Sequence, residues 1–383
     1  MRYNEYLLDS KLFSKVVSSF NTNVESNIPK KIIVVEHSVI NSLDFIKYLS
    51  THYEVYYISK PKSIDKKVLK TIKSWCNVLQ TNREELKQDS VIDFIGQIVQ
   101  NDTFAIIDIG GYFAPKVDKI QLAFKGQLLK VIEDTENGYQ KYVKSLEQHN
   151  ISVPLLSVAR SSLKIEEDYL VGHEIVVKSE VFLADYGTTF LGKKILVIGF
   201  GKIGASISEN LNKREAIVYV ADKQAIRLAD ALARGTIDYY KIMADMDIVY
   251  AANGEQSLDT EKLEKSSLQN TLYLFSVTSA EDTYKHSEKI QNLKLYGHNG
   301  GYRILKSKNK KSIIIANSGN AINFTYTIST LASYVQLTQL EMAVMLIKKY
   351  KPKKTILSMS EADREKIAQF WLSEVQKKSN NFK

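Results

Sequence analysis

The stretch Ile195-Leu-Val-Ile-Gly199-Phe-Gly201-Lys-Ile-Gly204 decides the fold of this chain. An apolar strand runs into three glycines spaced as GxGxxG, and a helix-forming segment follows them. Gly199 allows a tight turn, Gly201 lets a pyrophosphate approach the backbone, and Gly204 lets helix and strand pack closely. The helix N-terminus adds free N–H groups for the phosphates. The residues predicted to bind a dinucleotide here are Gly199, Gly201, Lys202, Ile203 and Gly204.

The next predicted strand, Ile217–Ala221, ends in an acid, Asp222. It lies about 20 residues beyond the glycines, where a carboxylate hydrogen-bonds the adenosine ribose. A carboxylate there repels a 2′-phosphate, so NAD is favoured over NADP, although Lys223 and Arg227 nearby weaken that preference.

A later strand ends in Asn253 and Gly254. Ligands of open α/β sheets bind at the carboxyl ends of the strands. We therefore expect these two residues to face the cofactor, and an ordinary turn after a strand is the alternative.

Strand-like and helix-like segments alternate along most of the chain, from Lys31–Val35 through a second series that starts at Lys194 and includes Leu293–Tyr296. This alternation predicts an α/β fold of two doubly wound Rossmann-like domains. We expect residues 1–185 with 326–355 to form a substrate and catalytic domain. Residues 190–325 form the inserted NAD-binding domain, and residues 356–383 a C-terminal helix and tail.

Composition narrows the class of protein. The net charge is +9 over 383 residues, which could indicate a nucleic-acid partner. The lysines are spread along the chain, however, so we expect them to lie on solvated surfaces and expect no nucleic-acid partner. No apolar run approaches the length of a membrane span, and the N-terminus lacks an apolar signal core, so we expect a cytoplasmic protein without a membrane partner. Cys76 is the single cysteine, so an internal disulfide is excluded. The histidines are scattered without the spacing of metal ligands, so we expect no metal site.

Several segments together resemble the S-adenosylhomocysteine hydrolase (adenosylhomocysteinase) superfamily. The glycine-rich stretch from Gly192 is preceded by a matching segment, Ser157–Gly172. Ile107–Gly111 resembles the family's Asp-Asp-Gly-Gly, and Glu133–Gly138 resembles its Glu-Glu-Thr-Thr-Thr-Gly. Ile313–Asn323 resembles its Leu-Ala-x-Gly-x-x-Val-Asn. The order is preserved over roughly residues 30–345.

The resemblance implies NAD as cofactor, a small-molecule substrate and a set of catalytic groups. That family oxidises a substrate's 3′-hydroxyl, which acidifies a neighbouring proton, and uses a Lys/Asp pair near the hydroxyl. The pair falls on Lys164 and Asp168, or, without an insertion, on Arg160 and Lys164. A plain surface ion pair between Lys164 and Asp168 is a further alternative.

The remaining correspondences divide between substrate and cofactor. Asp134 falls where the family has a catalytic Glu, and His37 falls near its active-site His with a one-residue shift; a structural His37 is equally compatible. Thr135 falls where a Thr contacts the cofactor, and Asn323 where an Asn lies near the nicotinamide. The family is commonly a tetramer, so the resemblance also allows a homo-oligomer.

The chain departs from the family pattern at several positions. Ile109 replaces the family's second Asp, Ser279 falls near a family His, and the adenine-contacting positions fall near Val39 and Asn41. We therefore predict an NAD-dependent adenosylhomocysteinase-like enzyme that oxidises a secondary hydroxyl of a nucleoside or related small molecule, rather than a strict S-adenosylhomocysteine hydrolase. An NAD-binding pseudo-hydrolase that serves as a regulatory or interaction module, and a 2-hydroxyacid dehydrogenase, are the alternatives.

Overall fold

A computed structural model describes residues 10–20, 28–238, 243–291, 301–325 and 332–380. The chain divides into two compact units, residues 1–165 with 331–383 (the first unit) and residues 166–330 (the second unit). In the described ranges, every helix is too short or too polar to cross a membrane. The predicted strand Leu293–Tyr296 lies outside the described residues.

The first unit is built on a six-stranded parallel sheet. Its strands are β1 (Lys31–Ser38), β2 (Glu54–Ile64), β3 (Asn77–Leu79), β4 (Phe104–Asp108), β5 (Leu128–Glu133) and β6 (Leu155–Ser157). They pair in the order β3-β2-β1-β4-β5-β6, so the winding direction reverses between β1 and β4. This is the strand order of dinucleotide-binding folds, in which ligands bind at the reversal.

Helices cover both faces of this sheet, which explains why β1 and β4 are nearly continuous apolar runs. Before the second unit come α1 (Lys11–Ser19), α2 (Leu43–His52), α3 (Lys66–Lys73), α4 (Arg83–Leu86), α5 (Val91–Val99), α6 (Val117–Ala123) and α7 (Glu136–Gln148). The chain returns afterwards to add α14 (Ala332–Ile347) and α15 (Glu361–Asn380). Helix α14 is buried among α1, α2 and α15.

The second unit contains a seven-stranded sheet in the order β14-β15-β12-β10-β7-β8-β9. Its strands are β7 (Lys194–Ile198), β8 (Ile217–Ala221), β9 (Ile237–Asp238), β10 (Ile248–Ala251), β12 (Leu272–Ser276), β14 (Tyr302–Lys306) and β15 (Ser312–Ala316). Two further strands, β11 (Leu258–Asp259) and β13 (Tyr284–Lys285), pair separately with each other. Among the described strands of this sheet, only β14 and β15, at one edge, pair in antiparallel fashion. The winding direction reverses between β7 and β10.

The helices of the second unit are α8 (Ile165–Ala184), α9 (Lys202–Asn212), α10 (Ala225–Ala233), α11 (Thr260–Lys265), α12 (Ala280–Thr283) and α13 (Ser287–Gln291). With strands and helices alternating in both units, the predicted α/β class with two doubly wound sheets is confirmed.

The boundary between the units differs from the predicted one. Ile175, Val176 and Phe182 of α8 pack in the same core as Ile195 and Val197 of β7. Residues 166–184 therefore group with the second unit, whereas the sequence pattern placed residues up to 185 in the first. An apolar helical pattern shows that a helix covers a sheet, but it does not show which sheet.

Helix α15 is held in the first unit by a buried ion pair. Arg364 Nε donates to Glu341 Oε1 at 2.9 Å, and the Ser161 hydroxyl donates to the other carboxylate oxygen. The side chains of Glu341 and Arg364 are 0% and 7% exposed, and burial raises the pKa of Glu341 while Ser161 and Arg364 oppose this. Trp371 of α15 packs in the hydrophobic core that α14 shares with the sheet of the first unit. Residues 361–380 therefore group with the first unit rather than forming a separate segment.

Replacing Arg364 with Met should leave Glu341 buried without its counter-charge. We expect the free energy of unfolding to fall by about 3–5 kcal/mol, measured by urea or thermal unfolding. The matched control is Lys377→Met, which removes an exposed ion pair with Glu374 on the same helix. That change should cost less than about 1 kcal/mol. Equal losses in the two variants would contradict an anchoring role for the buried pair.

Candidate functional site

The glycine-rich turn joins β7 to α9 at the reversal of winding in the second unit. Gly199 has a φ of +98°, which side-chain-bearing residues rarely adopt. A Cβ at this position would lie 2.9 Å from backbone atoms of Ala252 and Asn253, and a Cβ on Gly204 would overlap the carbonyl oxygen of Gly199. The packing of the turn itself therefore requires both glycines.

Gly201 differs from its two neighbouring glycines. Its φ is −74°, a value open to any residue. Among the described residues outside its chain neighbours, a Cβ there would meet only the Arg227 guanidinium, at 3.7 Å. Gly201 is the residue before α9, and it has no side chain to cap the first N–H groups of that helix. The turn thus leaves room, beside backbone donors, for a group such as a pyrophosphate.

Asp222 follows β8 and lies against this turn. Its Oδ2 accepts a hydrogen bond from Phe200 N at 2.7 Å, and its Oδ1 accepts one from Gln224 N at 2.8 Å. Arg227 Nη1 lies 3.6 Å from Oδ2. The structure therefore brings the predicted ribose-binding carboxylate to the predicted phosphate-binding turn.

Helix α8 brings a second carboxylate to the start of α9. Lys202 Nζ pairs with Asp168 Oδ2 at 3.0 Å. The two helices can approach because Gly172 has no side chain: a Cβ there would lie 2.5 Å from Ser206 Cβ. Asp168 and Lys202 were assigned to catalysis and cofactor binding respectively, and the structure places them side by side in the second unit.

Asn323 presents an unsatisfied amide oxygen. The residue is 8% exposed, and its Oδ1 has no hydrogen-bond partner among the described residues. Its main-chain carbonyl accepts a hydrogen bond from Lys178 Nζ at 2.8 Å. Leaving a buried acceptor unpaired costs about 1–3 kcal/mol, so a ligand N–H group would be stabilised there.

Asn253 and Gly254 follow β10 after one intervening residue, Ala252. Asn253 packs against Gly199, and its Oδ1 accepts from Glu255 N at a long 3.4 Å. Gly254 has a φ of +67°, in the left-handed region that glycine adopts without strain. Both residues therefore lie at the carboxyl edge of the sheet, as the sequence pattern predicts.

A second polar cluster lies in the first unit, at the carboxyl ends of its central strands. Glu133, at the end of β5, is 1% exposed. One of its oxygens accepts from Gly110 N at 3.0 Å and from Thr135 N at 2.7 Å, and the other accepts from Gly111 N at 2.8 Å. Burial and the charge of Asp108 raise the pKa of Glu133 to about 8, against these donors.

Asp108, at the end of β4, is fully buried beside Glu133. Its carboxylate accepts from Tyr112 N, Phe113 N and the Tyr142 hydroxyl at 2.9, 2.8 and 2.6 Å. Burial raises the pKa of Asp108, and these three donors oppose the shift. Asp108 and Glu133 together fix the loop after β4 at the reversal of winding in this sheet.

Lys164 and Asp134 meet in the first unit. Lys164 Nζ donates to Asp134 Oδ1 at 2.9 Å, and the two side chains are 7% and 15% exposed. The sequence pattern pairs Lys164 with Asp168, four residues on; the structure gives Lys164 a partner from the end of β5. An ammonium and a carboxylate held together in this way can exchange a proton with a substrate hydroxyl.

His37, near the end of β1, is partly buried. Its Nδ1 hydrogen-bonds the Ser63 hydroxyl, and its main-chain N–H donates to Glu36 Oε1 at 2.6 Å. Burial, then the nearby charges of Lys60 and Lys164, lower the pKa of His37 well below its ordinary value. The imidazole of His37 is therefore held in its neutral form.

Thr135 starts α7. Its hydroxyl donates to Glu133 Oε1 at 2.8 Å and accepts from Gly138 N at 3.0 Å. The side chain predicted to contact the cofactor is thus bonded locally to the end of β5 and the first turn of α7.

Lys60 and Glu133 are two members of this cluster that the sequence analysis did not select. Burial lowers the pKa of Lys60, while four carboxylates, that of Glu36 first, oppose the shift. Lys60 gives no signal in the sequence, because in a lysine-rich chain nothing distinguishes a partly buried lysine from a surface one. The pair Glu133-Asp134 after an apolar strand is a usable signal, but only Asp134 was chosen from it.

A metal centre finds no support in the described part of the chain. No three His, Cys, Asp or Glu side chains there lie close enough together to hold an ion.

The sequence matches no protein-family model. It is similar to the adenosylhomocysteinase of Acinetobacter baylyi, with 23% identity over 177 residues, which cover 46% of this chain and 36% of that protein. The match therefore spans little more than a third of the relative's length.

Two solved structures show a distant likeness. A dipicolinate synthase protein from Bacillus halodurans is 12% identical with a TM-score of 0.48, over 84% of this chain and 99% of that one. A transhydrogenase from Sinorhizobium meliloti is 11% identical with a TM-score of 0.35, over 90% and 95%. At these scores the likeness adds nothing to the fold assignment, which rests on the strand order.

The lowered pKa of His37 predicts a pH dependence of stability. Below about pH 6.5 the unfolded chain binds a proton at this residue that the folded chain does not, so stability is lost as the pH falls. In His37→Gln, the free energy of unfolding should fall less steeply between pH 6.5 and 5, by at most about 1.4 kcal/mol per pH unit. Above pH 7.5 the two slopes should coincide. Identical slopes at acid pH would show that His37 is not held neutral.

Proposed function

We propose that this protein is an NAD-dependent enzyme, of the adenosylhomocysteinase type, that oxidises a secondary hydroxyl of a nucleoside or related small molecule. Gly201 carries the proposal. Its backbone angles and its packing would both accept a side chain, yet it stands between two glycines that the turn does require. A ligand that approaches the backbone explains an uncrowded glycine at this position.

The second unit supplies the groups that would hold the cofactor. The main-chain N–H groups at the start of α9 would bind the pyrophosphate, and Asp222 would accept hydrogen bonds from the adenosine ribose. The unpaired amide oxygen of Asn323 would accept an N–H donor. When bound, NAD supplies an acceptor for the hydride that leaves the hydroxyl-bearing carbon.

The first unit supplies the groups for proton transfer. Asp134 would take the hydroxyl proton, and the ammonium of Lys164, 2.9 Å away, would stabilise the developing negative charge on oxygen. His37, held neutral by burial and by the charges of Lys60 and Lys164, lies in the same cluster. The similarity to an adenosylhomocysteinase supports this reaction class over other uses of a nicotinamide cofactor.

Strict hydrolysis of S-adenosylhomocysteine is not proposed. Ile109 stands where the resembling family has a carboxylate, and Ser279 falls near one of its histidines. Losing a single general acid costs about 10²- to 10⁴-fold in rate.

The cofactor assignment is tested with Gly201→Ala. The added methyl group makes only an ordinary contact within the protein, with the Arg227 guanidinium at 3.7 Å. It occupies the path of the pyrophosphate, so the Kd for NAD should rise about ten- to a hundredfold. Calorimetric titration measures this, and the melting temperature reports folding. The matched control, Gly96→Ala in α5, places its methyl 3.9 Å from the Phe124 ring and should leave the Kd unchanged. Wild-type protein that neither binds NAD nor releases it on denaturation would refute the proposal.

The catalytic assignment is tested with Lys164→Met. We expect wild-type protein to reduce NAD with at least one member of a panel of nucleosides and related alcohols, followed by NADH absorbance. The variant should lose about 10²- to 10⁴-fold in turnover while keeping its affinity for NAD. Lys119→Met, which removes an exposed lysine paired with Asp89, serves as control. Tight NAD binding with no reduction across the panel would favour a regulatory module instead.

A further inference from the structure

We infer that the second unit carries a subsite for a 2′-phosphate, formed by Arg227, so that the protein binds NADP(H) as well as NAD(H). This inference rests on the proposed function, because it concerns the same dinucleotide site. It goes beyond the sequence-based preference for NAD, which the charges of Lys223 and Arg227 were expected only to weaken.

Arg227 lies in the first turn of α10 and reaches the glycine-rich turn. Its Nη1 is 3.6 Å from Asp222 Oδ2 and 3.7 Å from the Cβ position of Gly201. One guanidinium is therefore placed between the predicted ribose-binding carboxylate and the open side of the phosphate-binding turn. In a bound dinucleotide, the 2′-position of the adenosine ribose lies next to this carboxylate.

The guanidinium of Arg227 is available to a ligand. Its side chain is 41% exposed. Its distance to Asp222 exceeds that of a hydrogen bond, and in the described ranges the guanidinium makes none. Its N–H donors form a fork that matches a phosphate, which a single ammonium group does not.

The negative charge of Asp222 is partly offset at this site. Its side chain is only 6% exposed, and its two oxygens accept hydrogen bonds from the main-chain N–H groups of Phe200 and Gln224. The positive charge of Arg227 lies within 4 Å of the carboxylate and opposes its field. The repulsion that normally excludes NADP is therefore offset at this site.

The other nearby cation does not serve this role. Lys223 is 79% exposed and pairs with Glu255, so its charge is already countered by a neighbour. Arg227 is thus the residue whose removal should separate the two cofactors.

The experiment measures the Kd values of NAD and NADP for wild type, Arg227→Gln and Arg234→Gln by calorimetric titration. In the wild type we expect the two values to lie within about tenfold of each other. Arg227→Gln should raise the Kd for NADP about 10- to 100-fold and change that for NAD much less. Arg234→Gln makes the same charge change at the end of the same helix, where Arg234 pairs with Asp230, and should leave the ratio unchanged.

The melting temperature of each variant shows whether it is folded, and one further variant separates the effect of the charge of Arg227 from that of its shape. Arg227→Lys keeps the charge but loses the fork, so its Kd for NADP should fall between those of wild type and Arg227→Gln. Wild-type binding of NAD with exclusion of NADP, or an unchanged ratio in folded Arg227→Gln, would overturn the 2′-phosphate subsite and leave the proposed function standing. Binding of neither cofactor by folded wild type would overturn both.

Discussion

The second unit depends on backbone atoms approaching one another where no Cβ intervenes. Gly199 lies against the backbone after β10, and Gly204 of α9 lies against the carbonyl of Gly199. These two contacts tie β7, β10 and α9 together at the reversal of winding. This turn positions the first main-chain N–H groups of α9, and the carboxylate of Asp222 and the guanidinium of Arg227 lie against it.

The six strands of the first unit follow the order of the six parallel strands of the second, but different side chains lie at the reversal of winding. Its central strands end in Asp108 and Glu133, whose carboxylates are buried and accept main-chain N–H groups from the following loops. Buried polar groups of this kind are tolerated because the main-chain donors satisfy their oxygens. Lys60 lies among these carboxylates, and Lys164 pairs with Asp134, so the cluster combines cations, acids and a neutral His37 in a small volume.

Much of the architecture could be predicted from local pattern. Apolar runs that alternate with amphipathic segments indicate parallel strands and covering helices, and both sheets have that form. The grouping of α8 could not be predicted, because the pattern of its apolar residues along the sequence is equally compatible with packing on either sheet. The grouping of α15 depends on the hydrogen bond from Arg364 to Glu341. No sequence motif indicates that these two residues meet.

The sequence alone determined the glycine-rich turn and the acid beyond it, because glycine is the only residue that fits where a Cβ would overlap the backbone. Only the tertiary structure decided which charged groups meet. Parallel strands bring their carboxyl ends to one edge, so Lys60, Asp108 and Glu133 become neighbours although long stretches of chain separate them. The burial that shifts their pKa values exists only after those strands have paired, because it comes from the chain packed around them.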